Sequence, residues 1–115
     1  MKILDEKIRL KDLPNIEGYL HYESMMKAVI DIENRIIALN AELHSDLEQL
    51  LLENDSVQSN LYGFNINFNG KLEFESNINF PRNRDAGFLR AGSYIENPQT
   101  RKEIEDIVDE WITGR

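Results

Sequence analysis

The stretch LYGFNINFNGKLEFESNINF, residues 61–80, constrains this chain more than any other. Tyr62, Phe64, Ile66 and Phe68 alternate with Gly63, Asn65 and Asn67. After Asn69-Gly70, Leu72, Phe74, Ser76, Ile78 and Phe80 alternate with Glu73, Glu75, Asn77 and Asn79. Period-two alternation on both sides of an Asn-Gly pair predicts a β-hairpin with one apolar face. A two-residue turn at Asn69-Gly70 would set Phe68 opposite Lys71 and Ile66 opposite Glu73, mixing the faces. A three-residue loop from Asn69 to Lys71, or a bulge there, sets Phe68 against Leu72, Ile66 against Phe74 and Tyr62 against Ile78. A one-residue slip would invert every side chain, so the loop length matters. The other face carries Asn65, Asn67, Asn77, Asn79, Glu73 and Glu75. Asn is depleted in strands. This face therefore reads either as a solvated sheet surface or as a polar recognition surface.

Residues 27–54 hold a second hairpin and a helix. A two-residue turn at Asn34-Arg35 pairs Ile32 with Ile37, Ile30 with Leu39 and Ala28 with Ala41, all apolar. The opposite face pairs Asp31 with Ala38 and Lys27 with Glu42. A competing pattern runs through Met25, Val29, Ile32, Ile36, Leu39, Leu43 and Leu50, a heptad seam that would make 24–54 one long helix. Asp46 interrupts that seam. The β-branched run Val29-Ile30-Asp31-Ile32 with Ile36-Ile37 also suits a strand better than a helix. The hairpin is the reading adopted. Ser45 with Glu48 fits a capping box opening a helix whose buried stripe is Leu47, Leu50 and Leu51. Asn54 is the expected left-handed stop.

The rest of the chain follows the same rules. Residues 2–8 suggest a short edge strand, guarded by Asp5, Glu6 and Lys7. Asp12 is expected to cap a short helix with Pro14 in its first turn and Leu13, Ile16 and Leu20 buried. Residues 21–25 link it to the first hairpin, and residues 55–60 form a polar turn. Residues 81–96 make a long connection with Phe88, Leu89, Tyr94 and Ile95, and with Arg82, Arg84 and Arg90. Connections of this length are uncommon unless functional or disordered. Asn97-Pro98 then opens a helix with Ile104, Ile107, Val108, Trp111 and Ile112 at helical spacing and Gly114 at its end. Trp111 reads as a core residue.

These elements predict one α+β domain over 1–115, in the order β-α-β-β-α-β-β-α. Its sheet is five-stranded and mainly antiparallel, with helices on one face. With 41% hydrophobic and 30% charged residues, the 115-residue chain has the composition of a folded soluble domain. It has no cysteine, so disulfides and cysteine nucleophiles are excluded. The net charge of −8 argues against nucleic acid as a partner. No apolar run approaches a membrane span and no secretory leader opens the chain, so a cytoplasmic location is expected.

The string VIDIENRIIALNAELHSDLEQLLLENDS, followed by LYGFNINF and FESNINFPRNR, resembles a small bacterial and archaeal family of domains of unknown function. That family has a VDIE strand, a glycine pair, an ELHAD segment, an LLE-GS helix end, a D-L-W-G-x-N strand and an I-N-I-R-P-x-x-G-N-R segment. Asp31, Glu33, Glu42, Leu43, His44, Asp46, Gly63, Asn65, Ile78, Asn79 and Arg84 fall on its positions. The resemblance covers roughly residues 27–84 and, more weakly, the last helix. Asn40-Ala41 stands in place of the glycine pair and Tyr62 in place of the tryptophan. Pro81-Arg82-Asn83-Arg84 is a reshuffled version of the arginine end. The resemblance marks positions and implies no reaction.

Chemistry concentrates in Glu42-x-His44-x-Asp46, the candidate catalytic residues. If the strand ran on to 46, the three side chains would share a face, as metal ligands or an acid–base set would. A capping role for the helix competes with that picture. The other histidine, His21, has no evident tie to His44, and no metal or cofactor is expected. His44 is then either structural or part of a ligand pocket with Glu42, Asn65 and the arginines Arg82 and Arg84. No complete catalytic set, phosphate loop or dinucleotide fingerprint is present. The leading expectation is a non-enzymatic interaction module. It would act as a homodimer, or with another protein, through residues 81–96 or the Asn-rich sheet face. The alternative is a small anion-binding protein or small enzyme, its pocket formed by His44, Arg82 and Arg84.

Overall fold

The computed structural model describes residues 1–16, 18–19, 24–75 and 97–115. Its centre is a strand, β3 (Met25–Asp31), that pairs along its whole length with β5 (Leu61–Asn67). The sheet continues outward on one side through β4 (Ile36–Leu39) to β1 (Lys2–Ile3), and on the other to β6 (Leu72–Glu75). Every pairing is antiparallel. The α+β class and the five-stranded antiparallel sheet are as the alternation requires. Two further strands, β2 (Ile8–Arg9) and β7 (Ile112–Thr113), pair in parallel.

The first hairpin forms, and no helix spans 24–54. Its register differs from expectation by two residues: Ala28 faces Leu39, Ile30 faces Ile37 and Asp31 faces Ile36. A two-residue turn at Asn34-Arg35 would need positive φ at both residues. The observed loop, residues 32–35, needs it only at Arg35, where φ is 57°. Asp31 Oδ1 accepts from the loop amides of Glu33 (3.0 Å) and Asn34 (2.9 Å), and Oδ2 accepts from Asn34 Nδ2 (2.8 Å). These bonds make the longer loop the better satisfied one.

The second hairpin shows the same kind of shift. Ile66 faces Leu72 and Phe64 faces Phe74. The loop has three residues, but they are 68–70. Asn67 N–H donates to the Lys71 carbonyl, and Gly70 N–H donates to the Asn67 carbonyl, each at 2.8 Å. Gly70 takes φ 95°, which a side chain resists, so it sets the loop's position. A shift of two residues leaves each side chain on its expected face. The proposed pairing of Tyr62 with Ile78 lies outside the described residues.

The helices divide between the two faces, which corrects the expectation of one helical face. α1 (His44–Glu53) packs Leu47 and Leu51 against Val29, Ala38 and Leu61. α2 (Pro98–Trp111) packs Ile104, Ile107 and Val108 on the other side, in one cluster with Ala28, Ile30, Ile37, Leu39 and Phe64. The reason lies in β3, whose two sets of alternate residues are both apolar at their centre. The polar face expected for Asp31 and Lys27 is thus partly a buried one.

Helix boundaries also depart from expectation. α1 begins at His44, with extended Leu43 before it and no side-chain cap, so Ser45 lies inside the helix. Glu48 does not close a capping box but accepts from Gln58 Nε2 (3.3 Å). The left-handed residue after α1 is Asp55 (φ 72°), not Asn54. The early helix is a 3-10 turn, Leu10–Asn15, with Arg9 before it; Asp12 instead accepts from Arg9 Nε (2.8 Å). In α2, Asn97 does cap, accepting from Gln99 and Thr100 amides, with Pro98 in the first turn. That helix stops at Trp111, because Ile112 turns extended to pair in β7.

Asn40 ends β4 in the left-handed region, φ 72°, and is 1% exposed. Its Nδ2 donates to the Gly18 carbonyl at 3.1 Å. Asn40→Ala is expected to lower stability by about 1–3 kcal/mol, adding backbone strain to a lost buried bond. Asn40→Gly, free of the strain, should lose less. Urea unfolding midpoints measure both, and equal losses would refute the backbone part of the argument.

Candidate functional site

Gly63 of β5 lies opposite Val29, which lies opposite Ala38. This row of small residues runs beneath α1 and lets the helix come close. His44, the first residue of α1, fills the space above Gly63. A Cβ there would stand 3.3 Å from His44 Cδ2. The imidazole is 5% exposed, and its Nε2 lies 2.9 Å from the Phe64 carbonyl oxygen. A carbonyl only accepts, so Nε2 carries the hydrogen. His44 is therefore an anchor between α1 and β5.

The other two members of the expected set lie elsewhere. β4 ends at Leu39, so the alternation that would align Glu42, His44 and Asp46 is broken. Glu42 and Asp46 are both exposed. They line an open cleft of about 270 Å³ with Met1, Gly18, Asn40 and Ala41, and His44 does not line it. Among the described residues, no group of three His, Asp or Glu side chains converges as metal ligands would. Arg82, Arg84, Arg90 and His21 lie outside the described residues, as does the apolar stretch 81–96.

Asn65 sits in a polar row across three strands, with Lys27 opposite it on β3 and Glu73 opposite it on β6. The expected solvated face is corrected here: Asn65 is only 5% exposed. Its Oδ1 is buried and accepts no hydrogen bond, a situation that costs about 1–3 kcal/mol for an ordinary amide. Next to it, Asn67 Nδ2 donates to Glu73 Oε1 at 2.8 Å.

A second buried polar centre escaped the sequence reading. Asp31 is fully buried, and besides its turn it accepts from Ser56 Oγ at 2.6 Å. It therefore ties the β3–β4 turn to the segment following α1. Burial works to raise its pKa. The donors on Asn34, Ser56 and Glu33 together outweigh that, and hold the carboxyl below its ordinary range. Glu48 moves the other way: burial raises its pKa and Gln58 opposes this only in part. The sequence signal for Asp31 was Asp-x-x-Asn at a hairpin turn, an Asx-turn pattern.

The family described as "Protein of unknown function (DUF5674)" matches residues 2–111. The chain belongs to this family. The match runs well beyond the 27–84 that the motifs covered and takes in both helical faces of the sheet. No curated protein and no solved structure matches the chain. Family membership thus carries no reaction, and the geometry alone bears on what this DUF5674 member does.

The pH dependence of Asp31 can be stated with its sign. A folded-state pKa below the unfolded one contributes stability above the unfolded pKa, and that stability is lost as pH falls. Asp31→Asn should lose about 2–3 kcal/mol near neutrality, where the charge-assisted bonds are intact. The gap to the wild type should narrow as pH drops below about 4. Unfolding free energies across that range test it, and a gap independent of pH would refute it.

Proposed function

We propose that this protein works without catalysis, as an interaction module that pairs with a second copy of itself. The observation that carries the reading is the seat of His44. The one residue of the candidate set suited to proton exchange near neutral pH is packed onto Gly63 and bonded to a backbone carbonyl. Its former companions Glu42 and Asp46 line a different cleft. Asp31, the most buried acid among the described residues, is bonded to its own turn and to Ser56. His44 and Asp31 each stabilise the fold, which supports a role exercised through surfaces.

The surface proposed for pairing is the stretch 81–96, on the strength of Phe88, Leu89, Tyr94 and Ile95 in its sequence. Exposed apolar clusters on small chains mark interfaces, and two-fold pairing is the commonest closed assembly. Light scattering across an about hundredfold dilution should give the mass of two chains at the concentrated end. A one-chain mass throughout would refute the homodimer.

A further inference from the structure

An open cleft of about 400 Å³ lies where α2 meets the β3–β4 turn, lined by Lys7, Arg35, Glu110 and Trp111. His44 does not line it. Trp111 is half-buried, and its indole N–H donates to the Arg35 carbonyl at 2.8 Å, which fixes the ring. Arg35, held in the left-handed region, ion-pairs through Nη2 with Glu110. Lys7 is exposed and makes no ion pair among the described residues. The cleft thus joins a fixed aromatic surface to one uncompensated positive charge, on a chain of net charge −8.

We propose that this cleft binds a small planar aromatic carboxylate. The volume falls within the roughly 300–1,000 Å³ of small-molecule sites. A flat ring would lie against the Trp111 indole in an offset stack. The carboxylate would take the Lys7 ammonium and the Arg35 N–H donors that Glu110 leaves over. A cationic ligand is disfavoured, because Glu110 is already neutralised and Lys7 would repel it. Arg35 in a left-handed conformation is a backbone outlier of the kind that clusters at ligand sites. Here it brings the carbonyl that orients Trp111 and the guanidinium beside Glu110 to one place.

Trp111 is the only tryptophan of the chain, so its fluorescence reports on this cleft alone. The full chain is titrated with benzoate, with uncharged benzamide and with the non-aromatic cyclohexanecarboxylate. Benzoate should give a saturable fluorescence change that weakens with added salt. Both analogues should bind at least about threefold more weakly, and Lys7→Glu should weaken benzoate binding by a similar factor or more. Lys7→Gln should give a smaller loss, and thermal unfolding of both variants should match the wild type. Absence of a saturable change with benzoate would overturn the proposal. So would equal binding of benzamide, of cyclohexanecarboxylate, or of benzoate to a folded Lys7→Glu variant.

Discussion

Ala28 and Ile30 of β3 face the side covered by α2, while Val29 and Asp31 face the side of α1, and all four are completely buried. An antiparallel strand usually keeps one face for water. This one has none along its second half, so both faces of the sheet must be covered. A buried isoleucine or valine contributes about 1.5–3 kcal/mol by its removal from water. Cover on each side is therefore not optional, and α1 and α2 supply it from opposite directions. The same constraint sets the strand order. With β3 in the middle, β4 and β5 flank it, and only the short β1 and β6 stand further out among the described residues.

Two-sided cover changes what polar residues can do. A polar group on β3 or β5 that would sit in water on an ordinary hairpin must here find an internal partner. Asp31 finds the amides of its own turn and the Ser56 hydroxyl. Asn40 finds the Gly18 carbonyl, and His44 finds that of Phe64. Asn65 Oδ1 finds none. Residues that look like chemistry in the one-dimensional chain are, in three dimensions, mostly the means by which a thin sheet holds a helix on each side.

The alternation of 61–80 and the β-branched run at 29–37 were enough to place both hairpins, since period two has one structural meaning. Their registers were not legible, because they depended on which residue would accept positive φ. The choice fell on Arg35 and Gly70. A shift by two residues keeps the faces, so Tyr62, Phe64 and Ile66 went inward as expected. The capping box at Ser45 misled because the helix opens one residue earlier, at His44, which gains its packing over Gly63. That gain depends on a contact twenty residues away in sequence, which local pattern does not reveal. The cover on the Asn-bearing face was hidden for the same reason: Asn65 looks solvent-bound until α1 is known to lie on that side. Asn40 was legible only as a departure from a glycine pair, and its left-handed φ gives the physical reason glycine suits that position.

The central claim is that His44 belongs to the packing of α1 on β5. The most direct measurement is nitrogen-15 NMR of the His44 ring, which identifies the protonated nitrogen and shows whether its hydrogen bonds across to a backbone carbonyl. The geometry predicts that Nε2 carries the hydrogen, that it exchanges slowly with water, and that it couples to the Phe64 carbonyl. A ring that carries its neutral-form proton only on Nδ1, or an Nε2 proton exchanging as freely as that of an exposed histidine, would contradict the account.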